Sequence, residues 1–350
     1  MRSYVRTAVV IVLAAGLFAL FLRDVDLYQV GADIVRARPG WLAFALLASS
    51  LNLVIRAYRW QYLLEPLGRP DYGPALRATA VGFAANAVLP ARAGEVIRPY
   101  FLARSQRKLG RTAGTTMNAT AAFATIIVER LLDVLTVIML LVVYVFVFGG
   151  SVASTHPAAF LGLEWAAATA AVVSITGLAA LYVMAGNPER MRRLVEGLTR
   201  VLPSTIGNTV AHTVEKFAQG LGIVRQPSRL AISVALSIPL WLTIAAGTWG
   251  VAVAFGIAVP FTGAFLIVAF LSLGVAVPTP GAVGGFHAAF RYGATFFDAR
   301  DEAAVGAAII AHLFSIVPSL ILGLLFAAQE GLGVSGIRHL ADEVKQEGAA

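Results

Sequence analysis

The chain has 350 residues, 58% of them hydrophobic and 13% charged, with a formal net charge of +8 and no cysteine. Soluble domains carry about 25% charged residues, so a soluble enzyme is excluded, and the missing thiols exclude disulfides, iron–sulfur clusters, cysteine zinc sites and thiol nucleophiles. The basic excess fits the cytoplasmic loops of a membrane protein and is too dispersed between apolar stretches to serve a nucleic acid.

Apolar segments of spanning length, roughly 20 residues, fall at 4–22, 41–63, 125–148, 164–184, 230–255 and 304–328. The first is followed by Arg23, Asp24 and Asp26 rather than by a small-residue cleavage site, so it reads as a retained span. The second carries Asn52, Arg56 and Arg59 late in its run. Arg59, Trp60 and Tyr62 read as an interfacial belt, and Arg56, lying deeper, is a candidate to line a cavity. The apolar regions 75–103 and 262–297 are each broken near the middle by proline and glycine.

If 75–90 crossed the membrane, the next loop would place Arg92, Arg98, Arg104, Arg107, Lys108 and Arg111 outside, against the positive-inside bias. A hairpin that enters and returns on the cytoplasmic side removes the conflict. Its first arm, 75–89, would be about 22 Å long as a helix, short of a roughly 30 Å hydrocarbon core. The loop 149–163 has no Lys or Arg, as an outer loop should, and 186–229 is basic. In 186–229 the apolar residues Met191, Leu194, Leu198, Val201 and Leu202 recur at helical spacing, which suits either an interfacial amphipathic helix or a solvated hairpin. Both termini are then cytoplasmic, and 331–350 is a solvated tail.

The expected fold is all-α: a polytopic integral membrane helix bundle of about six spans plus two re-entrant broken hairpins. Residues 1–150 and 151–330 share the order span, span, broken hairpin, span. Pro90 and Gly94 fall on Pro280 and Gly284 at an offset of 190. Three spans per half would set the halves in opposite orientation, and opposed repeats with matching broken helices mark transporters. The plainer alternative is that proline and glycine only kink ordinary spans.

The polar residues at the breaks are the candidate substrate site. Around Pro90 and Gly94, the chain carries Asn86, Arg92, Glu95, Arg98 and Pro99. Pro99 suits the first turn of a returning half-helix, whose free N–H groups would join Arg92 and Arg98 as an anion site. Alternatively, Glu95 and Arg98, three apart, form a structural staple. Glu129, Arg130 and Asp133 open the next span; they either balance these arginines or relay protons, or else only anchor the span at the interface. After Pro280, Gly281 and Gly284, His287 and Arg291 are four apart and are candidates for a mirror-image anion site.

No P-loop, GxSxG or HExxH is present, so nucleotide-driven transport, serine hydrolysis and zincin chemistry lack their motifs. No cofactor, metal site or catalytic residue is expected. The one enzymatic alternative is Asp24-Val-Asp26, a DxD-like pair that a membrane glycosyltransferase would use to hold a metal or as a base.

The run Asn86-Ala-Val-Leu-Pro90-Ala-Arg92-Ala-Gly94-Glu95-Val-Ile-Arg98, with Glu129-Arg130-Leu-Leu-Asp133 and Pro278-Thr-Pro280-Gly281, resembles the signatures of the lysylphosphatidylglycerol synthase transmembrane family, also called the flippase-like domain family. Its members are similar to the translocase half of the multiple peptide resistance factor. The resemblance implies a lipid flippase-like transporter of the bacterial inner membrane, moving a phospholipid, glycolipid or polyprenyl-linked lipid, and not an enzyme. Ala282 and His287 stand where the family usually has glycine and glutamate. Membrane lipids are the expected substrate; a lipid-synthesising enzyme and a second copy of the chain are the partners this role admits. A scaffold subunit of a lipid-modifying complex is the remaining alternative.

Overall fold

The structure is a computed structural model that describes residues 12, 15–16, 18–23, 25–68, 70–89, 92–108, 118–186, 226–277 and 279–330. Every regular element among them is helical. Five helices are long and apolar enough to cross a membrane: Pro39–Leu67, Ala119–Phe148, Pro157–Gly177, Pro227–Ala254 and Asp301–Gln329. They match five of the expected spans. Most of the sixth, 4–22, lies outside the described residues, as do Asp24, Pro90, the candidate amphipathic stretch of 186–229 apart from its ends, and the tail 331–350.

Helix α1, Leu27–Arg36, starts where the Asp26 carboxylate accepts from the backbone N–H of Tyr28 at 2.9 Å. It was not expected, since so short a helix between two spans leaves no long apolar signal. Helix α2, Pro39–Leu64, begins on a proline, whose fixed φ suits the first helical turn. Helices α3, Tyr72–Val88, and α4, Gly94–Lys108, are the arms of the first broken pair. Helix α5, Ala119–Val143, is capped by the Asn118 side chain and runs on through a π-helical turn, Tyr144–Phe148. Two helices follow, α6, Gly150–Thr155, and α7, Pro157–Gly186.

The second half continues with α8, Pro227–Ala254. Helices α9, Gly263–Ala276, and α10, Gly285–Thr295, are the arms of the second broken pair, and α11, Asp301–Gln329, closes the bundle. At 17, 15, 14 and 11 residues, the four arms are all shorter than the roughly 20 residues a span needs. The breaks use left-handed backbone at Arg92 (φ 53°), Gly281 (φ 58°), Ala282 (φ 59°) and Gly284 (φ 85°).

The helix pairings come in matched sets: α2 lies along α8, α3 on α4 as α9 lies on α10, α4 on α5 as α10 lies on α11, and α11 covers α3 as α5 covers α9. Small residues bring these backbones together, as packing between membrane helices requires. On α8, Gly247 and Gly250 face Ala45, Ser49 and Phe44 of α2, and Asn52 donates to the Leu240 carbonyl at 3.0 Å and to Thr243 at 3.2 Å.

Each broken pair crosses on two glycines. A Cβ on Gly94 would sit 1.8 Å from the Gly82 carbonyl oxygen, and one on Gly285 would sit 2.3 Å from that of Gly274. The same crossing moves Pro99 from the position expected for it. Helix α4 starts at Gly94, so Pro99 is its sixth residue rather than part of its first turn, and the Glu95 carbonyl loses its helical donor.

Overpacking of this kind costs about 1–3 kcal/mol or more. Gly94→Ala and Gly285→Ala should each lower the thermal midpoint of the detergent-solubilised protein, whereas Gly162→Ala, whose Cβ would meet nothing within 4 Å, should not. Equal effects in all three would contradict the crossings.

Candidate functional site

Glu129 and Asp133 lie one turn apart on the inward face of α5, fully buried and 5% exposed respectively. Burying two carboxylates in a membrane bundle requires cationic partners, and four arginines supply them. Asp133 Oδ1 accepts from Arg59 at 2.7 Å and from the Trp241 indole at 3.1 Å; Oδ2 accepts from Arg56 at 3.2 Å and lies 3.4 Å from Arg130. Glu129 accepts from Arg98 at 3.0 and 3.2 Å, from Arg130 at 3.1 Å and from Arg56 at 3.3 Å.

The surroundings hold the guanidiniums in place. Arg59 also donates to the Ser237 hydroxyl at 2.7 Å. Arg98 lies 3.8 Å above the centre of the Trp60 ring, whose indole N–H donates to Thr125 at 3.0 Å. Arg56 is 5.3 Å from the Phe83 ring. Along the helix axes, Arg56 sits about 12 Å from the end of α2 and Glu129 about 15 Å from the start of α5, well inside the length of the bundle.

This network borders a cavity of about 320 Å³ enclosed by both broken pairs and by α2, α8 and α11. Arg56, Arg92, Glu95, Arg98 and Arg130 contribute charge to its wall, and Asn86 contributes an amide. Most of the remainder is apolar, including Phe83, Phe286, Phe314 and Ile316. Pro318 of α11 also lines it and leaves the Phe314 carbonyl without its helical donor. A polar corner in a largely apolar concavity is the usual construction of a ligand site, and the volume lies at the small end of that class.

The structure therefore brings together Arg56, Asn86, Arg92, Glu95, Arg98, Glu129, Arg130 and Asp133, and of the two pairings considered for Arg98 it forms the one with the next span's carboxylate rather than the local staple. Arg98 binds Glu129, not Glu95. Glu95 lies 3.8 Å from both Arg92 and Arg130, because the turn at Gly94 points its carboxylate to the cavity rim. The N–H groups at the start of α4 are not free. Asn86 accepts from Gly94 at 2.8 Å, Glu95 donates to the Arg92 carbonyl, and Val96 and Ile97 donate to that of Ala93. The anion-binding capacity lies in the guanidiniums rather than in the helix end. Arg92 itself donates to the Val275 carbonyl at 2.6 Å, tying one break to the end of α9.

His287 and Arg291 are not brought to the cavity. His287 Nδ1 accepts from the Gly284 N–H at 3.3 Å, and its ring packs on Phe18, Phe21 and His312. Arg291 bonds Asp301 at 3.1 Å and the Phe21 carbonyl at 2.8 Å. The mirror-image anion site is thus not assembled; its residues cap a helix and dock the first span. At the second break Gly281 lines the cavity, and His312 Nε2 donates to its carbonyl at 2.6 Å. Arg59 is wholly buried among the helices and joins the charge network. Neither Ser237, Trp241 nor His312 carried a sequence signal for its role. The pairs Arg56/Arg59 and Glu129/Asp133, at helical spacing inside apolar runs, did.

The chain matches the family described as the lysylphosphatidylglycerol synthase TM region over residues 7–323. It belongs to that family. Within this lysylphosphatidylglycerol synthase TM-region chain, the matched stretch includes both broken pairs and every residue of the charge network. The glycosyltransferase AglD of Haloferax volcanii is 30% identical over 127 residues, which is 36% of this chain and 18% of that protein's length. With the family and the five apolar helices, this is a multi-pass, lipid-related membrane protein.

The two signs of charge should respond differently to removal. Uncovering a buried arginine by Asp133→Asn should cost about 3–5 kcal/mol of stability and sharply lower the thermal midpoint. Arg98→Gln, which removes one cation from a cluster rich in them, should cost much less. Equal losses in the two purified variants would contradict the shared-carboxylate arrangement.

Proposed function

We propose that this protein is a lipid flippase-like transporter of the bacterial inner membrane, holding an anionic headgroup against Arg56, Arg92, Arg98 and Arg130 while the acyl chains stay in the bilayer. The observation that carries this reading is the cavity: the buried Arg56 and Arg98, with the partly exposed Arg92 and Arg130, border a largely apolar space between two broken helix pairs. Charges at membrane depth cost about 2.5–3.5 kcal/mol each on insertion scales and usually face a cavity or a partner. The matched pairings of the two halves favour opposed repeats, and hence alternating exposure of the cavity to either side. Pro318 gives α11 a place to bend. On this reading the chain is not an enzyme, Glu129 and Asp133 balance charge, and membrane lipids are its main partners.

The glycosyltransferase reading draws on the similarity to AglD. Against it, the Asp26 carboxylate of the DxD-like pair is engaged as the cap of α1. Metal-dependent sugar transfer by the pure protein would favour it.

Purified protein in liposomes should speed the redistribution of a fluorescent anionic lipid between leaflets without added nucleotide. No acceleration, or strict dependence on ATP, would overturn the transport reading.

Orientation follows from the charge bias. In intact cells, cysteines placed at Ser105 and Gln346 should be shielded from impermeant thiol reagents, and one at Ser154 should react. Labelling of Ser105→Cys from outside would overturn the re-entrant first pair.

A further inference from the structure

The charge network is not neutral. Among the described residues, four guanidiniums (Arg56, Arg59, Arg98 and Arg130) converge on two carboxylates, Glu129 and Asp133. The rim pair Arg92–Glu95 adds one charge of each sign. With both carboxylates ionised, the network that borders the cavity carries a surplus of two positive charges. Water at a protein surface would screen such a surplus. Here Arg59, Arg98 and Arg56 are 0%, 3% and 6% exposed, and Arg130, whose side chain is 34% exposed, lines the cavity itself; an uncompensated charge in a low-dielectric interior is strongly unfavourable.

The unused hydrogen-bonding capacity points the same way. Arg98 Nε and Nη2 are buried without a hydrogen-bond partner. These two atoms form one edge of the guanidinium, a fork that matches two oxygens of a phosphate once the side chain turns that edge from the Trp60 side toward the cavity. Nearby, Glu95 meets Arg92 and Arg130 only at 3.8 Å, longer than a hydrogen bond. An arriving oxyanion therefore need only displace Glu95, while Arg92 keeps its bond to the Val275 carbonyl and Arg130 its bond to Glu129.

We infer that the headgroup this cavity takes is dianionic: a phosphomonoester or diphosphate carried on a lipid. This rests on the reading of the cavity as the lipid site and narrows its substrate class. A phosphodiester headgroup leaves one positive charge uncompensated. A lysylated phosphatidylglycerol carries two ammonium groups against one phosphate and adds to the surplus. The family's description names a lipid of that cationic kind; this chain's charge balance selects against it.

The test uses the full chain in phosphatidylcholine nanodiscs at mildly alkaline pH and about 0.15 M salt, where exposed charges are screened over about 8 Å. The thermal midpoint is followed against phosphatidic acid, a polyprenyl diphosphate, phosphatidylglycerol, lysylphosphatidylglycerol and inorganic pyrophosphate. The first two should stabilise with apparent affinities about tenfold or more above that of phosphatidylglycerol, and the cationic lipid should be weakest among the lipids. Pyrophosphate should need far higher concentrations, because it lacks the chain that the apolar wall accommodates.

Glu95→Gln, at the partly exposed rim, adds to the surplus and should widen the preference for dianions. Arg98→Gln should narrow it, and Arg77→Gln, a distant surface change paired with Glu330, should leave it unaltered. Equal response to phosphatidylglycerol and phosphatidic acid, tighter binding of the aminoacylated lipid, or a preference unmoved by Glu95→Gln would overturn the assignment. Pyrophosphate as effective as the lipids would overturn the lipid linkage. Redistribution of both anionic lipids in liposomes without preference would remove this inference and leave transport standing. Redistribution of neither, with the dianion preference intact, would remove transport instead.

Discussion

The architecture depends on two carboxylates shared among several arginines. Glu129 and Asp133 project from successive turns of α5, and the guanidiniums they hold come from α2, α4 and α5 itself. A hydrogen bond from Trp241 brings α8 into the same cluster, as does the Ser237 hydroxyl beneath Arg59. In lipid there is little hydrophobic gain from pressing one apolar helix against another, so a buried ionic cluster is a strong determinant of which helices meet. It also fixes the polar corner of the cavity, because the arginines cannot leave the carboxylates without exposing charge to an apolar interior.

The glycine crossings complete that arrangement. Backbone contact at Gly82–Gly94 and Gly274–Gly285 folds each broken pair tightly enough for its tip to reach the other. Arg92 then contacts the end of α9, and Gly281 approaches the Ala87 carbonyl. The cavity lies where these tips come together. Larger residues at the crossings would separate the arms and displace Arg98, which packs directly beside Gly82.

Much of this was legible in the sequence, for identifiable reasons. Spans are set by hydrocarbon thickness, so apolar length alone located Pro39–Leu64 and Asp301–Gln329 within a few residues. Proline and glycine revealed both breaks. Partner choice was less visible. Glu95 lies nearest Arg98 in the chain, yet the carboxylate that binds Arg98 is 31 residues away, across a turn whose geometry no local pattern encodes. Arg59-Trp60 has the composition of an interfacial belt whether its side chains face lipid headgroups or, as here, are buried against other helices. His287 and Arg291 follow a glycine break just as Arg92 and Arg98 flank one, but their surroundings are the aromatic residues of the first span.

The order of the charges along the chain has a consequence for biogenesis. Arg56, Arg59 and Arg98 all precede Glu129 and Asp133 in the sequence, so during synthesis these cations emerge before the carboxylates that neutralise them. Each arginine held at depth without a partner costs about 2.5–3.5 kcal/mol on insertion scales. Arg56, Arg59 and Arg98 therefore gain their carboxylate partners only once α5 has joined the earlier helices. Pairing in the first half is thus completed by α5, which carries the counter-ions of the earlier segments.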